Sequence, residues 1–370
     1  MQTDPRPNPG ASPTDAPQGS PTLPNESYYQ RSDQARRWGG LLVIFGVIWL
    51  VFELTTRGSL FGVGLGFVEQ SQPLPTQRYT AQQVIVNGVS DEVTITGWNE
   101  DQIQVEVIER GFGWNAGAAR TAIDQLEVLV EQRDSTLQID VRRPPALGIV
   151  LGRSPYAEIR IALPAEVAVQ VGLVSGPLAV EAASGSLQLS TVSGDITVQA
   201  SSGALQANTT SGTLRVRDFR GPLRAETVSG DVRIEATTEG VSVETVSGDV
   251  RLEQVQGPLD LRNISGDLDL ESVGPTSLQL ETTSGDIAAD VALIPASTNR
   301  ISTISGDVRL HVRDPQDLRL EASTASGDLR IDLAGRERTE ERRRLGLTIG
   351  EGSTTLSITT TSGDVRVSGE

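Results

Sequence analysis

Glycine returns at positions 176, 194, 212, 230, 248, 266, 285, 306, 327 and 363, mostly inside Ser-Gly-Asp, at intervals of 18 five times and then 19, 21, 21 and 36. Aligned on this glycine, positions −7, −5, −2, +2 and +4 form five columns. Over ten rungs 46 of the 50 column positions are apolar, with Thr210, Thr283, Asn299 and Thr361 as the exceptions. Eighteen residues supply two short strands, one on each side of a turn. A coil of that kind cannot bury its apolar side chains alone, whereas coils stacked about 4.8 Å apart close both the ladder and the core. The spacing therefore predicts an all-β, single-chain parallel β-solenoid of about ten coils. Gly185, Gly203, Gly221 and Gly257 stand midway, where a two-sided coil needs its second corner. Glycine at a corner permits positive φ, and Ser and Asp side chains hydrogen-bond turn amides.

The residues Val86-Asn-Gly88, the recurring Thr-Val-Ser-Gly-Asp-Val (Thr227 to Val232, Thr245 to Val250) and the closing Leu356 to Val365 carry a family resemblance. Over roughly Ala81 to Ser368 the chain resembles the bacterial putative-adhesin domain family, a β-strand-repeat domain of unknown function. The resemblance implies an envelope-associated β-solenoid with a role in adhesion, and it transfers no catalytic residue.

Ahead of the repeats the composition shifts three times. Residues 1–37 hold seven prolines among Ser, Thr, Gln, Asn and Asp and read as a disordered tail, because they bury too little apolar surface to offset ordering entropy. Trp38 to Phe52 carries no charge. As a helix over 38–54 it spans roughly 25 Å, enough to cross a bilayer core of about 30 Å with local thinning. Arg31, Arg36 and Arg37 before it place the N-terminus in the cytoplasm and the β-domain outside. A second apolar stretch, Leu60 to Val68, leaves open a hairpin that returns the chain. Residues 55–80 read as a Gly- and Pro-containing linker. From 81 to 168 the sequence alternates with period two (Ile103, Val105, Val107; Leu126, Val128, Val130; Leu137, Ile139, Val141; Ile159, Ile161, Leu163), as half-buried strands do. This stretch is expected to form an N-terminal β-strand cap, interrupted by a Gly-rich loop, Gly111 to Gly117. The repeats fill 169–370, with an insertion around 333–352.

Composition removes most enzyme classes. The chain has no cysteine and no lysine, and His311 is its one histidine, so thiolate, Schiff-base and lysine-base chemistry are absent. A net charge of −17 argues against nucleic acid as partner. The outward columns are acidic at +1, where eight of ten rungs carry Asp, rich in arginine at +3 and often acidic at +5. Arginine is absent from +3 at one acidic cluster, Asp267, Asp269 and Glu271, with Asp286 and Asp290 on the next rung and Asp260 nearby in sequence. Clustered carboxylates are candidate Ca²⁺ ligands. Two further candidates are contact patches: the aromatic loop Phe112 and Trp114 with Trp98 and Tyr156, and the arginines Arg342, Arg343 and Arg344 of the insertion.

These observations lead to a non-enzymatic, membrane-anchored bacterial envelope protein, whose solenoid meets a surface glycan or protein. Two alternatives stay open. One is a scaffold, cytoplasmic or at the surface, that self-associates end to end, since the chain stops five residues past its last Asp-Val. The other is a carbohydrate-active enzyme using the Asp267 to Asp290 carboxylates with Arg251 or Arg309.

Overall fold

The computed structural model describes residues 68–143, 154–341 and 343–370, all within one compact unit, Gly58–Glu370. The expected tail, the expected membrane helix and the linker up to residue 67 lie outside the described residues. Among the described residues no helix is long and apolar enough to cross a membrane. The end of the expected linker is not a linker: β1 (Val68–Pro73) and β2 (Gln77–Tyr79) both pair antiparallel with β5 (Ile103–Gly113).

The period-two segments before the repeats become β3 (Gln83–Ser90), β4 (Glu92–Trp98), β5, β6 (Glu127–Arg133), β7 (Thr136–Arg142) and β8 (Tyr156–Pro164). Each repeat then supplies one strand to each of two sheets, beginning with β9 (Ala168–Ser175) and β10 (Leu178–Glu181). Six more pairs run from β11 (Leu187–Ser193) with β12 (Ile196–Gln199) to β21 (Leu278–Ser284) with β22 (Ile287–Leu293). The C-terminal elements are β23 (Thr298–Ser305), β24 (Val308–Val312), β25 (Leu318–Ser326), β26 (Leu329–Asp332), β27 (Glu337–Glu341), β28 (Arg344–Ile349), β29 (Thr354–Ser362) and β30 (Val365–Gly369). From β9/β10 to the coil that ends at Thr276, neighbouring coils pair in parallel with an offset of 18, as in Leu223 to Val241 and Val232 to Val250. The expected parallel coils are thus present, and among the described residues they number twelve rather than ten. The two extra coils, β3/β4 and β7/β8, come from the stretch expected to form only a cap.

Chain order and stacking order differ at both ends. The first coil in sequence, β3/β4, lies between β7/β8 and β9/β10. The last, β29/β30, lies between β23/β24 and β25/β26. Outside these coils, antiparallel strands cover the ends: β5 beside β8 and β6 beside β7 at one end, β28 beside β25 and β27 beside β28 at the other. The last coil in sequence is therefore not an open edge through which copies could stack end to end. The coil formed by the C-terminus is bonded on both sides, and the exposed edge in its sheet is the four-residue β26, whose Arg330 and Asp332 point to solvent. Short, charged edges of this kind resist pairing with other chains.

Four of the five apolar columns face the core, as Leu223, Ala225, Val232 and Ile234 illustrate. The −2 column does not. Ile264 and Ile304 are 52% and 55% exposed, and the buried position is −3, occupied by Thr191, Thr209, Thr227, Thr245, Asn263, Thr282, Thr303, Thr324 and Thr360. Strand alternation carries −7 and −5 on to −3, so phase overrides hydrophobicity at the end of the strand. Asn263 shows what the buried polar side chain does: its amide donates to the carbonyls of Gly266 and Gly248 at 2.8 and 3.3 Å, and its oxygen accepts from the Ser265 amide at 3.1 Å.

Glycine recurs at the main turn because stacked turns meet there. A Cβ placed on Gly230 would lie 2.0 Å from the carbonyl oxygen of Gly212. The second corner stacks glycines in the same way, a Cβ on Gly221 falling 1.9 Å from the Gly203 carbonyl oxygen, and it adds a left-handed residue just ahead of them. Ala182, Ala200, Asp218, Ala236, Gln254 and Ser272, again 18 apart, hold φ between 50° and 57°. A left-handed conformation costs a non-glycine residue about 1–2 kcal/mol, against roughly 0.5–1 kcal/mol of extra chain entropy lost by glycine. Replacing Ala182 and Ala236, three coils apart, by glycine should therefore raise the thermal midpoint slightly; a fall measured by calorimetry would show that the methyl groups carry packing worth more than the strain.

Candidate functional surface

Along the Ser-Gly-Asp turns the +1 aspartates form a continuous ladder. Oδ1 of Asp249 accepts from the Asp267 amide at 2.9 Å, that of Asp267 from the Asp286 amide at 2.8 Å, and that of Asp286 from the Asp307 amide at 2.9 Å. The ladder then follows the stacking order, Asp307 to Asp364 to Asp328, at 2.9 Å each. Each carboxylate satisfies an amide that the adjacent turn leaves exposed, which fixes the register between coils.

The +3 arginines lie between the acidic rows as the columns imply. Arg251 reaches Glu253 at 2.6 Å, Glu271 at 2.8 Å and Asp269 at 3.2 Å, and Arg309 reaches Asp307 at 3.2 Å and Asp286 at 3.4 Å. Arg217 and Glu235 meet at 2.8 Å, and the shared hydrogen bond lowers the glutamate's pKa. Exposed pairs of this kind contribute little to stability and mainly hold side chains in place.

The candidate calcium cluster is not assembled. Asp269 and Glu271 are spanned by Arg251, Asp267 and Asp286 bind amides of the next coil, and Asp290 pairs with Arg313 at 3.3 Å. Asp260 pairs with Arg262 on the other sheet. The sequence suggested a site free of arginine because it showed one rung at a time; the neighbouring rung supplies the cation. Among the described residues no group of three acidic or histidine side chains is placed to hold a metal. His311 meets Ser368 and Glu370 of the C-terminal coil at 3.2 and 3.6 Å.

The two contact patches sit in opposite caps. Phe112 stacks on Tyr156 with ring centroids 6.1 Å apart, and Trp114 is 54% exposed. The Trp98 indole donates to the Gln102 carbonyl at 2.9 Å. The expected Gly-rich loop is in fact the end of β5 and a helix, α1 (Ala116–Ile123), capped by the Asn115 side chain on the Ala118 amide. The helix packs so closely that a Cβ on Gly113 would fall 2.5 Å from the Ala119 nitrogen. Asn115 followed by an alanine-rich run was the available signal. Arg343 and Arg344 lie exposed in the C-terminal cap, and Arg342 is outside the described residues.

The N-terminal cap also holds carboxylates that sequence reasoning passed over. Arg110 grips buried Glu158 at 2.7 and 3.0 Å and Glu69 at 2.8 Å. Burial pushes Glu158 up, but these bonds and the charge of Arg160 hold it below the ordinary carboxylate range. Glu109 is 6% exposed and its pKa is raised by burial first and by Asp124 second. A carboxyl that holds its proton more tightly when folded contributes stability below the ordinary glutamate pKa and loses it as pH rises through the raised value. Glu109→Gln should thus raise the thermal midpoint at pH 7 and leave it unchanged near pH 3; an equal shift at both pH values would mean that charge burial is not the cause.

Three features remain outward and unclaimed by the core. The first is the −2 stripe of Val228, Val246, Ile264 and Ile304 beside the glycine turns. The second is the ion-paired face of the +3 arginines. The third is an open groove of about 890 Å³ along the second corner, lined by Ser201, Asp218, Arg220, Thr238, Gln254 and Gln256 among others.

No curated protein matches the chain. Among solved structures, similarity is found to a putative cell adhesion protein from Clostridium sporogenes (11% identity, 81% of this chain and 100% of that one, TM-score 0.23). A putative adhesin from Bacteroides fragilis (13%, 80% and 97%, 0.29) and a putative lipid binding protein from Parabacteroides distasonis (9%, 81% and 96%, 0.35) are also similar. The family model described as Toastrack DUF4097 matches residues 81–368, the stretch over which the repeat motifs carry the resemblance, and the chain belongs to that family.

Proposed function

We propose that this is a membrane-anchored envelope protein that displays its β-coils outside the cytoplasm as a non-catalytic contact surface, for adhesion or structural contact. The observation that carries the reading is the periodicity of the outward faces. Carboxylates that could have formed a reactive or metal-binding cluster are engaged by arginines and amides of adjacent coils. The −2 stripe, with Ile264 and Ile304 more than half exposed, offers apolar area along the same turns. Anchorage rests on the uncharged run Trp38 to Phe52, and sidedness on the arginines that precede it.

Protease added to intact cells or spheroplasts tests sidedness. The reading expects loss of the β-domain from outside, with the N-terminal tail protected; a β-domain digested only after lysis overturns it. Release of reducing ends from a polysaccharide panel by the purified chain would replace the contact reading with the enzymatic one.

A further inference from the structure

The C-terminal coil is held in a way that its position in the sequence does not require. β29 and β30 fill a slot whose walls are the two preceding coils in the chain. Gly306 and Val308 donate into the inserted coil, to Ser362 and Asp364 at 3.0 and 2.8 Å, and its Gly363 and Val365 donate onward to Ser326 and Asp328 at 3.0 and 2.9 Å. At its start, Asn299 donates to the Thr355 carbonyl at 3.0 Å and Thr355 donates to Ser297 at 2.9 Å. The inward residues Leu356, Ile358, Val365 and Val367 repeat the pattern of the other coils. Nothing in that pattern distinguishes the chain's own coil from the same coil of another copy.

The connection into the slot is short and glycine-rich. β28 and β29 lie on opposite sides of β25, where Leu318 pairs with both Ile349 and Thr354. The loop 350–353 straddles the end of β25, with Gly350 and Gly352 at φ of 63° and 72°. Asp317 closes it, accepting from the Gly352 amide at 2.5 Å, the Ser353 amide at 3.3 Å and the Ser353 hydroxyl. The inserted coil follows both of its walls in the sequence and is synthesised after them, so both walls exist before their filling does.

We propose that residues 354–370 exchange between two copies of this chain, each filling the other's slot, with 350–353 as the hinge. The contacts made within the slot are the same in the closed and the exchanged form, so the hinge sets the balance between them. This inference is independent of the adhesion reading and stands or falls without it.

The chain has no cysteine, so two introduced thiols report on the exchange without interference. Ser302 and Thr359 are register partners on adjacent parallel strands and both point outward. One tagged chain carries Ser302→Cys and a differently tagged chain Thr359→Cys. The two full-length chains are refolded together from denaturant in detergent, with oxidised glutathione as the oxidant. The expected result is a disulfide joining the two tags. Asp317→Ala in both chains should raise its yield at least threefold. Removing residues 351–353 leaves two Cα steps, about 7.6 Å of reach, for a crossing of two strand spacings of about 4.8 Å each; this deletion should make the joined species dominant. The proposal is overturned if the mixed chains give no joined disulfide while a single chain carrying both substitutions closes its own bond in full.

Discussion

Removal of residues 354–370 should release the two coil walls from each other and leave everything from about Asp314 onward open to protease, with a stable fragment ending near Val312. The deletion takes away Leu356, Ile358, Val365 and Val367, each nearly fully buried. At about 1.5–3 kcal/mol per side chain this is roughly 6–12 kcal/mol gross, comparable to the net stability of a whole domain. In an ordinary repeat protein the last repeat in sequence is the end repeat, and its loss exposes one interface. Here the missing coil has ladder partners on both sides, so its loss opens two interfaces at once. Limited proteolysis followed by mass measurement checks this. A deletion variant as protease-resistant through residue 349 as the full chain would mean that β25/β26 can stack directly on β23/β24.

Gly230→Ala is expected to be among the costliest point substitutions. Its Cβ would meet the Gly212 carbonyl oxygen at 2.0 Å and the Gly212 carbonyl carbon at 3.0 Å. These are backbone atoms in mid-stack, so relief requires two coils to move apart where Ser229 donates to the Thr210 carbonyl at 2.7 Å and Leu214 to the Asp231 carbonyl at 2.9 Å. Loss of several kcal/mol is expected, at the upper end of what single substitutions do. Replacement of the next residue, Asp231→Asn, keeps an acceptor at the turn and should cost less than about 1 kcal/mol. Urea denaturation of both variants separates the two causes. Comparable losses would assign the turn's stability to hydrogen bonding rather than to the close approach of stacked backbones.

The strength of the repeat made the parallel coils legible, because apolar side chains at matched places in every rung leave few other ways to be buried. The same strength misled at one column. Val228, Val246, Ile264 and Ile304 look like core by composition, whereas the buried neighbour is Thr227, Thr245, Asn263 or Thr303. Alternation along the strand decides the matter, and it was visible in the positions though not in the hydropathy. The order of the coils was not legible. The interval of 36 between Gly327 and Gly363 announced an insertion, but the exchange of places follows from pairing partners such as Ser302 with Thr359, which lie far apart in the chain. The calcium cluster failed for a related reason: Arg251 belongs to the preceding rung and lies between Asp269 and Glu271 only in three dimensions. Helix α1 was missed because Gly111, Gly113 and Gly117 read as a loop, when Gly111 and Gly113 are there to let the helix approach β5.

The register offset of 18 between interior coils has a consequence for how such a chain changes over time. Duplicating or losing one interior period leaves both capped ends with the neighbours they already have, and shifts their separation by one increment of about 4.8 Å. Reach can therefore be adjusted by whole periods without redesigning either terminus, and the segment from Leu187 to Thr276, where the offset is 18 throughout, is where such adjustment is tolerated.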